Sequence, residues 1–277
     1  MRCNNVGMPL SHYLEFIASQ IPHVIRMIWI SSFSRVPPLT APAILLCAIA
    51  AAAAVLVTPL WRITRNIITI AHEGGHALVA KMSGRTLEGV HLNSDTSGLT
   101  VSSGKRDGCG LALTRFAGYA SPPLWGLLCA FLVSRGYSTG ALWLLVVLLA
   151  LMLVRVRNPF GVFVVVVLTA AVIGLSWWAN TEIRSETACC LAWFLIFGSI
   201  RPLLELMHQR GSGQSSDSDA DQLAQGGIPA WVWMALWLLM ALGALWAATS
   251  WMTQTAGGMR AVFSMANASA LWRMWSI

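Results

Sequence analysis

Long apolar runs constrain the fold of this chain more than any other feature of its sequence. Only 10% of the residues are charged, against roughly 25% in soluble domains. Six runs approach the roughly 20 apolar residues that a helix needs to cross a bilayer: Ala41–Trp61, Leu111–Val133, Tyr137–Val154, Phe160–Asn180, Thr187–Leu204 and Pro229–Trp251. The sequence therefore predicts an all-α polytopic membrane protein with about six to seven transmembrane helices.

The placement of the basic residues indicates which partners to expect. The formal net charge is +7, but Lys and Arg occur singly or in pairs beside apolar runs and form no basic face. Such residues are typical of topology signals and of contacts with phosphate headgroups. We expect the lipid bilayer as a partner and no nucleic acid, whereas the oligomeric state stays open.

The chain divides into three segments. Residues 1–40 are an N-terminal interfacial or poorly defined segment, because its apolar stretch is interrupted by Pro22 and Arg26. Residues 41–251 form the membrane core, and residues 252–277 a C-terminal tail. Within the core lie two polar intervals, 84–110 and the Gly/Ser/Asp-rich linker 209–227.

A β-hairpin is predicted in the first polar interval. Val90 and Leu92 alternate with polar neighbours, Asn93–Gly98 supplies turn residues, and the alternation resumes at Leu99 and Val101. This small hairpin follows a helix that carries a His-Glu-x-x-His motif.

Charge asymmetry predicts how the spans are oriented. Four basic residues place the 84–110 interval in the cytosol: Lys81, Arg85, Lys105 and Arg106. Alternation then puts the 209–227 linker inside and Glu182–Glu186 outside. The same scheme leaves Arg62 and Arg65 outside, which indicates that one span is re-entrant or wrongly identified. We expect a multi-pass plasma-membrane protein with its active site toward the cytoplasm.

The motif His72-Glu73-Gly74-Gly75-His76 carries the chemistry. Two His residues four positions apart lie on one face of a helix and can bind one metal ion. Glu73 is placed to reach a metal-bound water and to serve as general base and then acid. This spacing is the signature of zinc metallopeptidases.

The apolar setting of the motif strengthens this interpretation. Two imidazoles and a carboxylate within Ile67–Val79 cost several kcal/mol at membrane depth unless they have a partner. Zinc supplies such a partner. The alternative is a non-proteolytic membrane transporter or scaffold, in which the same residues line a polar or metal-binding cavity.

Two pairs of residues that disfavour helix, one in the motif and one in a later span, call for an explanation. Gly74 and Gly75 each cost about 1 kcal/mol of helix propensity relative to Ala, which indicates close approach of another backbone or ordinary small-residue packing. Pro122 and Pro123 are expected to break or kink the span that contains them.

Catalytic zinc usually takes three protein ligands, so a third one is needed. Asp217, Asp219 and Asp221 lie in the polar linker, where acids are often only solvated. Glu205 and His208, at i and i+3, form a rival pair that more often extends to the membrane interface. The residues alone leave this choice open.

At this point the chain resembles the M50 metallopeptidases of the site-2 protease clan, and within them the M50B-like branch. The resemblance extends from about Ile67 to Trp251. Five stretches carry it, the first being the most specific: His72–Leu78, Asp95–Thr100, Ala117–Leu124, Arg157–Gly161 and Ser218–Leu223.

The resemblance implies an intramembrane zinc endopeptidase that hydrolyses membrane-spanning or membrane-adjacent proteins or peptides. Better-known site-2 proteases take the third ligand from an Asn-Pro-Asp-Gly motif, in which this chain has Phe160 in place of the Asp. The Ser-Asp-Ala segment resembles a replacement, which implies Asp219 as the ligand, with Asp221, Asp217 and Glu205 as fallbacks.

The resemblance also gives the hairpin a function. An unwound substrate would add as a strand along its edge and be held across the zinc ion. This implies substrate contacts at Leu92, Gly98, Leu99 and Thr100.

Overall fold

A computed structural model describes residues 10–212 and 218–255. A two-stranded antiparallel sheet, β1 (Thr86–Leu92) and β2 (Gly98–Ser103), follows the third helix. The helices of the described residues are α1 (Leu10–Phe33), α2 (Ala41–Leu56), α3 (Thr58–Met82), α4 (Cys109–Ser134), α5 (Ser138–Arg155), α6 (Pro159–Trp178), α7 (Thr181–Gly211), α8 (Asp219–Ala224) and α9 (Ala230–Thr255).

Five of the described helices, α4 to α7 and α9, are long and apolar enough to cross a membrane. The pair α2 and α3 bends by 99° at a short break and counts as a sixth span if it is taken as one. The all-α polytopic fold with a small hairpin is thereby confirmed, with five or six spans. The predicted single helix over 41–61 was wrong, because it divides at Val57.

Side chains from a distant helix stabilise this break. Pro59 lies in the first turn of α3, where its missing N–H costs nothing. Arg201 of α7 donates hydrogen bonds to the carbonyls of Val55 and Leu56 at the end of α2, whose last carbonyls lack helical partners. Arg201 also pairs with Glu205 at 3.1 Å. Specific contacts from α7 therefore stabilise the break between α2 and α3.

Helices α4 and α7 pack closely in the centre of the protein. A Cβ atom on Gly126 of α4 would lie 2.7 Å from Cγ1 of Ile196 and 3.0 Å from the carbonyl oxygen of Ala192, both on α7. Of the two expectations for Pro122 and Pro123, a break and a kink, the break does not occur, since α4 continues through both residues, which are buried. Close packing on neighbouring helices stabilises such a Pro-containing helix.

The hairpin covers α3 with one apolar face. Val90 and Leu92 are almost fully buried and pack in one cluster with Ile70 of α3 and Met152 of α5. The turn joins the Asn93 N–H to the Ser97 carbonyl at 2.8 Å. This confirms the predicted hairpin and the inward-facing Val90 and Leu92 of β1, whereas Leu99 of β2 is exposed.

The polar intervals and ends differ in part from the simple segments expected from sequence. Helix α1 occupies most of 1–40. Within the expected linker 209–227, α7 continues to Gly211, and 219–224 form the short helix α8. Part of this interval is therefore helical.

Candidate metal centre

His72, His76 and Asp219 bring three ligand atoms together. Nε2 of His72 lies 3.1 Å from Nε2 of His76, and Oδ2 of Asp219 lies 3.2 Å from both. Within the described residues, this is the one cluster of three or more His, Cys, Asp or Glu ligands close enough to hold a metal ion.

Helix α4 orients the two His rings. Nδ1 of His76 lies 2.7 Å from the carbonyl oxygen of Thr114, and the His72 ring meets the Tyr119 ring edge-on with centroids 4.8 Å apart. Tyr119 stacks in turn on Trp237 of α9. A Cβ atom on Gly118 would collide with both His rings, so glycine is needed there.

Asp219 is held by a short but well-anchored helix. Ser218 caps α8 in a reciprocal capping box with Asp221. Ala220 and Leu223 are buried, and Arg115 of α4 donates a 2.9 Å hydrogen bond to the Gln222 carbonyl. These contacts fix the Asp219 carboxylate against α3, which ends 137 residues earlier in the chain.

The contacts at this cluster require a cation. Burial would raise the pKa of the Asp219 carboxyl, but hydrogen bonds and charge from His72 and His76 hold it well below its usual range. Because the Thr114 carbonyl can only accept, Nδ1 of His76 carries hydrogen, and its Nε2 in the neutral ring presents a lone pair. Lone pairs and a carboxylate this close repel unless a proton or a metal ion joins them.

The spacing of the donors fits zinc. A tetrahedral zinc ion binds His nitrogen at about 2.0–2.1 Å, which separates its ligand atoms by about 3.3 Å. The three donor atoms lie 3.1 to 3.2 Å apart. Two His and one carboxylate are also a common catalytic zinc set, which leaves a fourth position free.

Glu73 lies beside this cluster and is not part of it. The carboxylate is buried and accepts a 2.6 Å hydrogen bond at Oε2 from the Thr100 hydroxyl of β2. A Cβ atom on Gly98 would lie 2.5 Å from Oε1 of Glu73, so glycine lets β2 approach α3. Glu73 and the three donors line one cleft of about 680 Å³.

The other predicted ligands have different partners or positions. Asp221 pairs with Arg210 and with the Ser218 hydroxyl. Glu205 pairs with Arg65 and Arg201. Asp217 lies outside the described residues.

Glu182, which the charge rule places on the opposite side of the membrane from the 209–227 linker, lies in the first turn of the helix that carries Glu205. The 23 residues between them correspond to roughly 35 Å along α7. This acid therefore lies far from the cluster.

Three of the four residues predicted to contact substrate lie in the cleft, and one does not. Gly98, Leu99 and Thr100 line the cleft, and Leu99 is 57% exposed. Leu92 does not line it, because its side chain is buried beneath the hairpin. Its backbone is occupied as well, since the Asn158 side chain bonds its N–H at 3.0 Å and its carbonyl at 2.5 Å.

The segment in which Phe160 replaces the expected ligand has a structural role, which these contacts indicate. Asn158 bonds to β1, and Arg157 donates its backbone N–H to the Val90 carbonyl at 2.9 Å. A Cβ atom on Gly161 would lie 3.2 Å from Cβ of Leu92. The segment thus supports the hairpin and occupies the outer edge of β1.

The outer edge of β2 has a different environment. Leu92 and Gly98 form a pair whose N–H and C=O groups point away from each other, because the adjacent Asn93–Ser97 pair is the hydrogen-bonded one. Gly98 and Thr100 therefore direct backbone groups to the outer edge. Among the described residues, no backbone hydrogen bond to that edge is found.

Sequence reasoning missed the residues that orient the ligands. Thr114 acts through its backbone carbonyl, which any residue type could supply. Tyr119 and Gly118 lie in a stretch that was singled out by resemblance, and a Gly beside an aromatic residue in a membrane span indicates close packing. No sequence pattern around Arg115 predicts its hydrogen bond to α8.

One of three comparisons with known proteins finds a match. Residues 45–248, well over half of the chain, match the family model described as Peptidase M50B-like. The comparisons with curated proteins and with solved structures find no match. The matched range contains α3, the hairpin and α8, and the chain therefore belongs to the Peptidase M50B-like family of membrane metallopeptidases.

Proposed function

We propose that the protein is a zinc endopeptidase that hydrolyses peptide bonds of membrane-spanning or membrane-adjacent substrates. The observation that carries this proposal is the triangle of donor atoms from His72, His76 and Asp219. Beside it lies Glu73, whose carboxylate is buried, oriented by Thr100 and free of the triangle.

Zinc held by His72, His76 and Asp219 would lower the pKa of a water molecule and polarise the peptide carbonyl. Glu73 takes a proton from water as the water oxygen bonds to the carbonyl carbon. It gives that proton to the amine nitrogen as the C–N bond breaks. The hydrogen bond from Thr100 keeps the carboxylate aimed at this position throughout.

The hairpin supports a specific mode of substrate binding. An extended peptide can pair with the outward N–H and C=O groups of Gly98 and Thr100 on β2. Leu99 contributes an exposed apolar surface in the same cleft. A transmembrane substrate must first unwind locally, since its backbone groups are bonded internally. Leu92 supports this strand from beneath instead of contacting substrate.

We place this activity in the plasma membrane, with the cleft toward the cytoplasm. The basic residues near the motif favour that orientation: Lys81 lies in the last turn of α3, and Arg85 and Arg106 line the cleft. Cysteine substitutions at exposed Lys105, labelled from either side in intact cells, test the orientation.

Metal analysis and a catalytic variant test the function. The purified protein should hold about one zinc ion per chain, and His72→Ala should lose it. Glu73→Gln should keep the zinc ion and abolish cleavage, so that substrates accumulate uncut in membranes that carry this variant. Absence of zinc from the wild type would refute the proposal. Zinc binding with cleavage unaffected by Glu73→Gln would instead favour a transporter or scaffold.

A further inference from the structure

The two glycines of the motif have different surroundings. A Cβ atom on Gly75 would collide with the Ser121 side chain of α4, which explains that glycine by close helix packing. A Cβ atom on Gly74 would meet no protein atom within 4 Å. No packing contact within the described part of the chain therefore explains Gly74, although it costs about 1 kcal/mol of helix propensity.

Gly74 lines a second cavity, on the opposite side of α3 from the metal centre. It lies about 160° around the helix from either His72 or His76. The cavity has a volume of about 470 Å³ and lies between α3 and the α5–α6 pair, with α4 and α7 also lining it. Its lining is almost wholly aliphatic, and the two charged residues in it are Lys81 and Arg155.

Both charged residues lie on the side of the cavity nearest the hairpin. Lys81 lies in the last turn of α3, and Arg155 ends α5. The strand that follows α3 meets the residue that follows α5 through the Val90–Val156 bridge. Within the described residues, neither side chain makes an ion pair or a hydrogen bond. Two cations thus stand unpaired where an apolar cavity reaches the membrane surface.

The cavity opens sideways onto the lipid-facing surface. Leu78, Leu151 and Val154 line it and are 46%, 61% and 64% exposed. Along α3 it extends from Ile67 to Lys81, about 21 Å at 1.5 Å per residue. One leaflet of the hydrocarbon core is about 15 Å thick, so an acyl chain that starts at the Lys81 end fits within this length.

The volume distinguishes an acyl chain from a helix. A helix about 10 Å wide fills about 400 Å³ per turn, and a membrane-spanning helix has at least five turns. The cavity holds about one such turn, and it faces away from the metal centre. A substrate helix therefore cannot be enclosed in the cavity.

We infer that this cavity is a binding site for an anionic phospholipid. An acyl chain lies along α3 against the open backbone of Gly74, and the headgroup phosphate is bound by Lys81 and Arg155. The lipid fills the space that separates the motif helix from the α5–α6 pair, and it would support the metal-binding helix from behind.

Native mass spectrometry of the full-length protein tests this site without any peptidase assay. Phosphatidylglycerol and phosphatidylcholine with identical acyl chains are added to the delipidated protein. We expect one phosphatidylglycerol molecule bound per chain, with at least fivefold weaker binding of phosphatidylcholine. Lys81→Gln and Arg155→Gln should each weaken phosphatidylglycerol binding about fivefold, and together about 25-fold.

Two further variants separate the headgroup from the acyl chain. Lys105→Gln removes a charge on the same side of the protein but outside the cavity, and should bind phosphatidylglycerol like the wild type. Leu148→Trp places bulk inside the cavity and should weaken binding of both lipids. Zinc content serves as the folding control.

Equal binding of the two lipids, or equal losses in Lys105→Gln and Lys81→Gln, would overturn the inference. So would displacement of the bound lipid by a membrane-spanning substrate peptide, since the cavity would then accommodate peptide. If Leu148→Trp fails to fold, the charge variants still decide the question.

Discussion

Thr100 donates its hydroxyl hydrogen to Oε2 of Glu73 across 2.6 Å, which connects the hairpin to the proposed general base. The partners lie 27 residues apart, one on β2 and the other on α3. A hairpin that holds both the substrate and the base can place the peptide bond relative to the proton acceptor. In the proposed mode of substrate binding, a single strand would couple the position of the peptide bond to that of Glu73.

Thr100→Val should therefore impair cleavage without removing zinc. The substitution keeps the β-branched shape but removes a hydrogen bond to an ionised group, which is worth about 1.5–3 kcal/mol. We expect the cleavage rate to fall about 10- to 100-fold, whereas Thr100→Ser retains most activity. Rates and zinc content measured on the same preparations decide this. If Thr100→Val cleaves substrate at the wild-type rate, the hydrogen bond from Thr100 is not needed to orient Glu73.

The third ligand can be identified by three matched substitutions. Asp219→Ala should weaken zinc binding by more than about 100-fold, which exceeds the usual effect of removing a residue that only orients a ligand. Asp221→Ala removes the capping box, which costs about 1 kcal/mol, and Glu205→Ala breaks a distant ion-pair network. Both should retain zinc. Competition with a chelator measures the affinities, and normal zinc binding by Asp219→Ala would exclude it as a ligand.

The parts of the site that the sequence predicts are local ones. His72 and His76 share a helix face because they are four residues apart, and the hairpin alternation is likewise a property of neighbouring residues. Asp219 approaches them only through the packing of α8 on α4 and α9. Spacing carries no information on such a contact, so only the family resemblance pointed to Asp219.

The break at Val57 was beyond sequence reasoning for a similar reason. The run over 41–61 is apolar throughout, which predicts one straight span. At the bend, Arg201, some 145 residues later, donates hydrogen bonds to the free carbonyls at the end of α2. The mismatch of Arg62 and Arg65 with the charge rule did indicate an irregular span, but not its position.

Arg201→Gln should destabilise the protein while leaving the zinc site intact. Arg201 bonds to Glu205, to the end of α2 and, by cation–π contact, to the Trp61 ring. Losing hydrogen bonds to a charged group should cost about 2 kcal/mol, seen as a lower Tm in detergent. Arg62→Gln, at an exposed position, is the matched control and should not change the Tm. Equal Tm values for both variants would show that the break does not depend on Arg201.

Gly74→Ala and Gly75→Ala should have opposite effects on stability. A methyl group at position 74 enters open space beside the apolar cavity and gains up to about 1 kcal/mol of helix propensity. At position 75 it collides with Ser121, whose hydroxyl is already bonded to the Ala117 carbonyl, and overpacking costs about 1–3 kcal/mol. Gly75→Ala should lower the Tm, and zinc affinity should fall with it because α4 also orients His76. Gly74→Ala should leave both unchanged or slightly raised. If both variants lose stability alike, α3 is packed as tightly at Gly74 as it is at Gly75.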